Sequence, residues 1–129
     1  ISSDADAQVG YKDVRFGYIT CEGIYIQDGY KQRGYFGLGE SRSPMLQIYG
    51  DDGKTPVAYL GGNPEQNDEM MFQLQSKSKT YEGSVLIKIT EYGGSAGFFN
   101  NMGKHVAVIG VSEIGSGVVG TRDKFGYKK

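Results

Sequence analysis

A single cysteine, a single histidine, three prolines and no tryptophan stand among the 129 residues of this chain. With one thiol, no disulfide can close within the chain and no cysteine-based metal site can form. A lone cysteine most often behaves as a small buried hydrophobe, which is the expectation for Cys21; the alternative is a disulfide between subunits. One imidazole cannot build a histidine zinc site. His105 is the only base available to a Ser-His-Asp hydrolase, and no Gly-x-Ser-x-Gly elbow accompanies it. It follows Lys104 just ahead of an apolar run, the place of a turn-flanking surface residue. No catalytic residue is expected, and the chain is read as a non-enzyme.

A charge excess of either sign is missing as well. Fourteen basic residues against fifteen acidic leave a formal charge of −1, so there is no electrostatic footprint for nucleic acid or an anionic membrane. No run approaches 18 consecutive apolar residues, and no membrane span is expected. Apolar spacing at 3.6 residues is absent over any useful length, which predicts almost no helix. The string Gly34-Tyr35-Phe36-Gly37-Leu38-Gly39 lacks the following helix that a phosphate loop needs. Asp28, Asp51, Asp52 and Asp123 lie beside turn glycines, where an aspartate caps local N–H groups. Asp51 and Asp52 leave calcium open, although neither an EF-hand loop nor a calcium-binding nonapeptide spacing is present. No cofactor and no metal are predicted.

What the chain does have is glycine, 21 residues of it, with ten tyrosines and six phenylalanines. One phrase recurs: a short apolar run, a polar turn closing on glycine, and a second apolar run. It appears as Leu46-Gln47-Ile48 through Asp51-Asp52-Gly53-Lys54 to Val57-Ala58-Tyr59-Leu60-Gly61, and again from Phe98-Phe99 through Asn101-Met102-Gly103 to Val106-Ala107-Val108-Ile109-Gly110. An earlier copy turns at Asp28-Gly29 and a later one at Asp123-Lys124-Phe125-Gly126. Turn-forming glycines are therefore expected at Gly29, Gly53, Gly103 and Gly126, a period of about 24 residues with a degenerate unit between. Ile24 and Ile26, Leu46 and Ile48, Phe72 and Leu74, and Val85, Ile87 and Ile89 alternate as strands with one buried face do.

The predicted grammar is strand, tight turn, strand, loose loop, with loose loops at 40–44, 62–68 and 112–117. The fold expected is all-β with almost no helix: a repeat of short strands and Gly turns, built as a β-solenoid, a stacked β-meander or a β-prism. Residues 1–22 form an N-terminal assembly segment with opening strands, and residues 23–129 the β-repeat domain, whose degenerate unit at 69–92 carries a longer basic loop from Ser76 to Gly83. The opening strands lack a leading partner and the last unit lacks a second strand. Head-to-tail completion between copies follows as an expectation. Its interface would use Val9, Tyr11, Val14, Phe16 and Tyr18 at one end with Val118, Val119, Phe125 and Tyr127 at the other. Tyrosines spread along the whole chain suit strand packing or a subunit interface; the alternative is a platform on which sugar faces stack.

The phrase from Gly23 to Gly61, repeated over 96–126, resembles a repeat of bacterial and phage-like fibre proteins. In these an apolar strand leads to an Asp-x-x-Gly-Lys turn and then to a strand ending Ala-x-Leu-Gly. The resemblance implies a structural role without catalytic residues: a homo-oligomeric subunit, trimeric or filamentous, of an extracellular fibre at a cell surface or on a phage particle. The alternative it implies is the receptor- or glycan-binding module of a tail fibre or adhesin. An opening Ile1 in place of Met fits removal of an export signal, or excision from a longer chain.

Overall fold

Alternating apolar and polar residues form strands because side chains on a pleated backbone point to opposite faces in turn. The computed structural model describes residues 14–63, 69–76 and 83–128. It contains β1 (Gly23–Asp28), β2 (Lys31–Leu38), β3 (Pro44–Tyr49), β4 (Pro56–Asn63), β5 (Glu69–Gln75), β6 (Ser84–Thr90), β7 (Gly93–Phe99), β8 (His105–Val111) and β9 (Gly117–Thr121). All nine lie in one open sheet in chain order, and each pairs antiparallel with the next. There is no helix among the described residues. Pro44 and Pro56 each open a strand, where a missing N–H disturbs the ladder least. With an odd number of strands in an unbroken meander, β1 and β9 run in the same direction at opposite edges.

Several of the turns share one design. In those starting at Asn100, Ser112 and Asp123, the N–H of the first residue donates to the carbonyl four residues on, while its own carbonyl accepts from the N–H three residues on. That third residue is Gly103, Gly115 or Gly126, at φ 68°, 79° and 88°, in the left-handed region that glycine enters without a Cβ penalty. The first side chain closes the loop: Asn100 Oδ1 accepts from the N–H groups of Met102 and Lys104, and Asp123 Oδ1 from those of Phe125 and Tyr127. Gly53 (φ 69°) holds the equivalent place in the β3–β4 turn, and Gly29 (φ 60°) lies in the two-residue β1–β2 turn. The segments expected as loose loops at 40–44 and 112–117 are tight turns of the same pattern, the first with Arg42 at φ 66°. The expected loop at 62–68 begins later than read, because β4 continues through Gly62 and Asn63; its residues 64–68 lie outside the described ones.

Register lines the side chains into rows across the sheet. Ile24, Phe36, Leu46, Leu60 and Phe72 stand opposite one another from β1 to β5, and Ile87, Ala96, Ile109 and Val119 carry the row on through β6 to β9. A second row on the same face runs from Ile26 through Gly34, Ile48, Ala58 and Leu74 to Val85, Phe98, Ala107 and Thr121. A third includes Leu38, Pro44, Met70, Ile89 and Val111. Within the strands no charged side chain stands in any of the three rows; Glu22, just ahead of β1, borders the third, its carbonyl accepting from the Leu38 N–H.

The alternation predicts that this face is buried. It is not: among the described residues no apolar side chain is buried, and Ile26, Phe36 and Val119 are 59%, 58% and 77% exposed. The sheet is one layer, and nothing in the described chain lies across it. Residues 14–22, ahead of β1, are all exposed as well.

Candidate assembly surface

The two faces differ in chemistry. Opposite the apolar rows, one row reads Tyr25, Tyr35, Gln47, Tyr59 and Gln73, continuing to Leu86, Gly97, Val108 and Gly120. Beside it lie Gly23, Gly37, Met45, Gly61 and Met71. The tyrosines lie down along this face instead of standing off it. Tyr35 hydroxyl donates to the Leu38 carbonyl at 2.8 Å and Tyr59 hydroxyl to the Gly62 carbonyl at 2.9 Å. Each ring therefore covers the glycine two residues further along its own strand. A Cβ placed on Gly61 would meet the Tyr59 hydroxyl at 2.5 Å, and one on Gly37 would meet the Tyr35 hydroxyl and the Gly23 Cα, both at 2.5 Å. Tyr25 packs its ring 4.7 Å from that of Tyr35. Between these groups, Gln47, Tyr59, Met71, Gln73 and Gln75 line a shallow hollow of about 330 Å³.

The remaining chemistry-bearing groups lie apart from one another. Cys21 is exposed, contrary to the expectation of a buried thiol, because the stretch before β1 does not pack on the sheet. His105 was expected on the surface and is half-buried: its ring stacks on Phe99 with centroids 5.0 Å apart, and its buried Nε2 has no hydrogen-bond partner. Asp52 and Asp123 serve the turns. Asp52 Oδ1 accepts from the N–H groups of Lys54 and Thr55, its Oδ2 accepts from the Thr55 hydroxyl, and Asp51 pairs with Arg33 at 3.0 Å. Among the described residues no group of three or more His, Cys, Asp and Glu is placed to hold a metal ion. The Tyr92 phenol, in the β6–β7 turn, is raised above its ordinary value by its hydrogen bond to Glu91 and by that carboxylate's charge.

Of the residues expected at the subunit interface, Val9 and Tyr11 lie outside the described ones. Val14, Phe16 and Tyr18 are exposed in the extended stretch before β1, Tyr18 at 99%. Val118 and Val119 are in β9 at the far edge, on opposite faces, and Phe125 and Tyr127 are exposed in and after the turn that follows it. That turn brings the chain back beside β9, where Arg122 and Lys128 form an antiparallel bridge. Val14, Phe16 and Tyr18 thus precede β1, the strand at one edge of the sheet, while Val118 and Val119 lie in β9 at the other. Sequence reasoning named edge residues and missed the middle of the apolar face, although the alternation of Leu46, Phe72 and Ile87 marked it. Among the described residues no helix is long and apolar enough to cross a membrane. No protein-family model matches the chain, and comparison with curated proteins and with solved structures returned no match.

Proposed function

We propose that this chain is a structural subunit that completes its fold by assembling with copies of itself, as part of an extracellular filament or fibre. The observation that carries the reading is the uncovered apolar face on a sheet without a buried apolar side chain among its described residues. A single layer of short strands gains too little from burial to offset the entropy of ordering it, so neighbouring chains must supply the missing contacts.

Strand completion at the edges is the second part of the reading. The outer sides of β1 and β9 have no strand partner among the described residues apart from the Arg122–Lys128 bridge. Because β1 and β9 run in the same direction, direct edge-to-edge joining that keeps the apolar face on one side gives a parallel pair. A strand laid along β9 in the direction begun at Lys128 restores the antiparallel alternation before the β1 of the next copy. Repeated, this heterologous contact gives an open polymer, and several such sheets could form the walls of a solenoid- or prism-like shaft. Negative-stain electron microscopy of the purified chain tests it: regular elongated particles are expected, and only compact particles of one or a few chains would overturn the filament reading.

The hollow of Tyr59 with Gln47, Gln73 and Gln75 favours a second reading, a glycan-binding module, since neutral amides beside an aromatic ring suit sugar hydroxyls and their apolar faces. A glycan-array signal lost in Tyr59→Ala and Gln73→Ala would support it. An array without signal would remove it.

A further inference from the structure

We propose that the apolar face is covered by the same face of a second copy of this chain, packed sheet upon sheet. This rests on the reading of the chain as a self-assembling subunit and names the surface through which copies meet. Chemistry is the first argument. Within the strands the three rows carry no charged side chain, so the face meets its own copy without placing like charges opposite each other, whereas a partner of other composition would have to be equally apolar and equally broad.

Area is the second. Nine strands spaced about 4.8 Å apart, each contributing about six residues of 3.4 Å, make a face of about 800 Å². That is about the surface each partner gives to a stable protein interface. Edge pairing engages one strand per contact and leaves this area in water.

Relief is the third. Along the rows small residues stand between large ones: Gly34 between Ile26 and Ile48, Ala58 between Ile48 and Leu74, Ala96 between Ile87 and Ile109. The face is therefore ridged, with a hollow of about 670 Å³ whose lining includes Leu60, Phe72, Ile87 and Ile109. Facing sheets pack about 10 Å apart by seating side chains of one in gaps of the other, and this alternation supplies both the knobs and the gaps.

The experiment uses the full chain with Cys21→Ser, carrying either Ile87→Cys in the middle of the apolar face or Gln73→Cys on the opposite face. Mass is measured by light scattering, strand content by circular dichroism, and thiol accessibility by the rate of reaction with a water-soluble maleimide. Folded oligomers are expected, with the Ile87→Cys thiol reacting at least tenfold more slowly than the Gln73→Cys thiol. The charged variant Leu60→Glu/Ile87→Glu should lose the oligomer while Gln73→Glu keeps it. A folded monomer overturns the proposal whatever the thiol rate; a slow thiol in that monomer assigns the face to the chain's own residues. An oligomer in which the Ile87→Cys thiol reacts as fast as the Gln73→Cys thiol also overturns it. Elongated particles with a fast Ile87→Cys thiol keep the fibre reading and sink this one; compact oligomers with a slow thiol do the reverse.

Discussion

Arg42 occupies a conformation, φ 66°, that glycine takes at the matching position of the turns at Gly53, Gly103, Gly115 and Gly126. A Cβ in the left-handed region costs about 1–2 kcal/mol. The compensation is an ion pair with Glu22 at 3.1 Å, but both side chains are more than two-thirds exposed, and such pairs contribute little. Arg42→Gly should therefore stabilise the protein by up to about 1 kcal/mol, the strain relief being partly offset by a freer unfolded chain. Gly103→Ala should destabilise it by about 1–2 kcal/mol. Urea-unfolding midpoints at equal chain concentration test both signs, since assembly makes the apparent stability concentration-dependent. If Arg42→Gly lowers the midpoint, the Glu22 contact outweighs the strain.

Within a strand, the tyrosine lying over the glycine two residues along replaces a cross-strand partner that glycine cannot provide. At Gly61 the obstacle to a side chain is mainly the movable ring of Tyr59, whereas at Gly37 it includes the backbone of Gly23 and the Glu22 carbonyl. Gly61→Ala should cost about 1–3 kcal/mol, with much of that cost absent in a Tyr59→Ala background. Gly37→Ala should stay costly in a Tyr35→Ala background. Two double-mutant cycles read the difference as coupling energies; equal coupling at the two sites would refute it. These elements were also the legible part of the sequence. Alternation marked Ile24–Ile26, Leu46–Ile48, Phe72–Leu74 and Val85–Ile89, and the residue-to-glycine spacing of Asn100–Gly103 and Asp123–Gly126 marked turns, because both signals are local. The turn at Arg42 lacked glycine and read as a loose loop. The β6–β7 turn around Glu91 and Tyr92 was not read at all, and β7, with Gly93, Gly94 and Gly97, left little alternation to find.

For the molecule as a whole, the sequence could not show whether its apolar face meets the same chain or another, since Leu46, Leu60 and Phe72 alternate identically in either case. Each strand pairs only with its sequence neighbours, so opening can start at an edge and travel inward. If the edges are free, hydrogen exchange should be fastest in β1 and β9 and slowest in β4 to β6. If strand completion occurs between copies, amides of β9 should be protected to within about tenfold of those in β5. Protection measured strand by strand separates the two arrangements, and an edge-to-centre gradient in assembled material would remove strand completion from the proposed function.

The placement of β1 and β9 at opposite margins of the meander has a mechanical consequence. Tension entering through the chain at either margin peels the outermost ladder first, so an isolated chain would yield like a zipper, one strand at a time and at low force. Laying a second slab over the first spreads the same pull over many side chains that must slide together. A shaft built this way owes its tensile strength to the contact between layers, and the backbone ladders serve chiefly to hold each layer in shape.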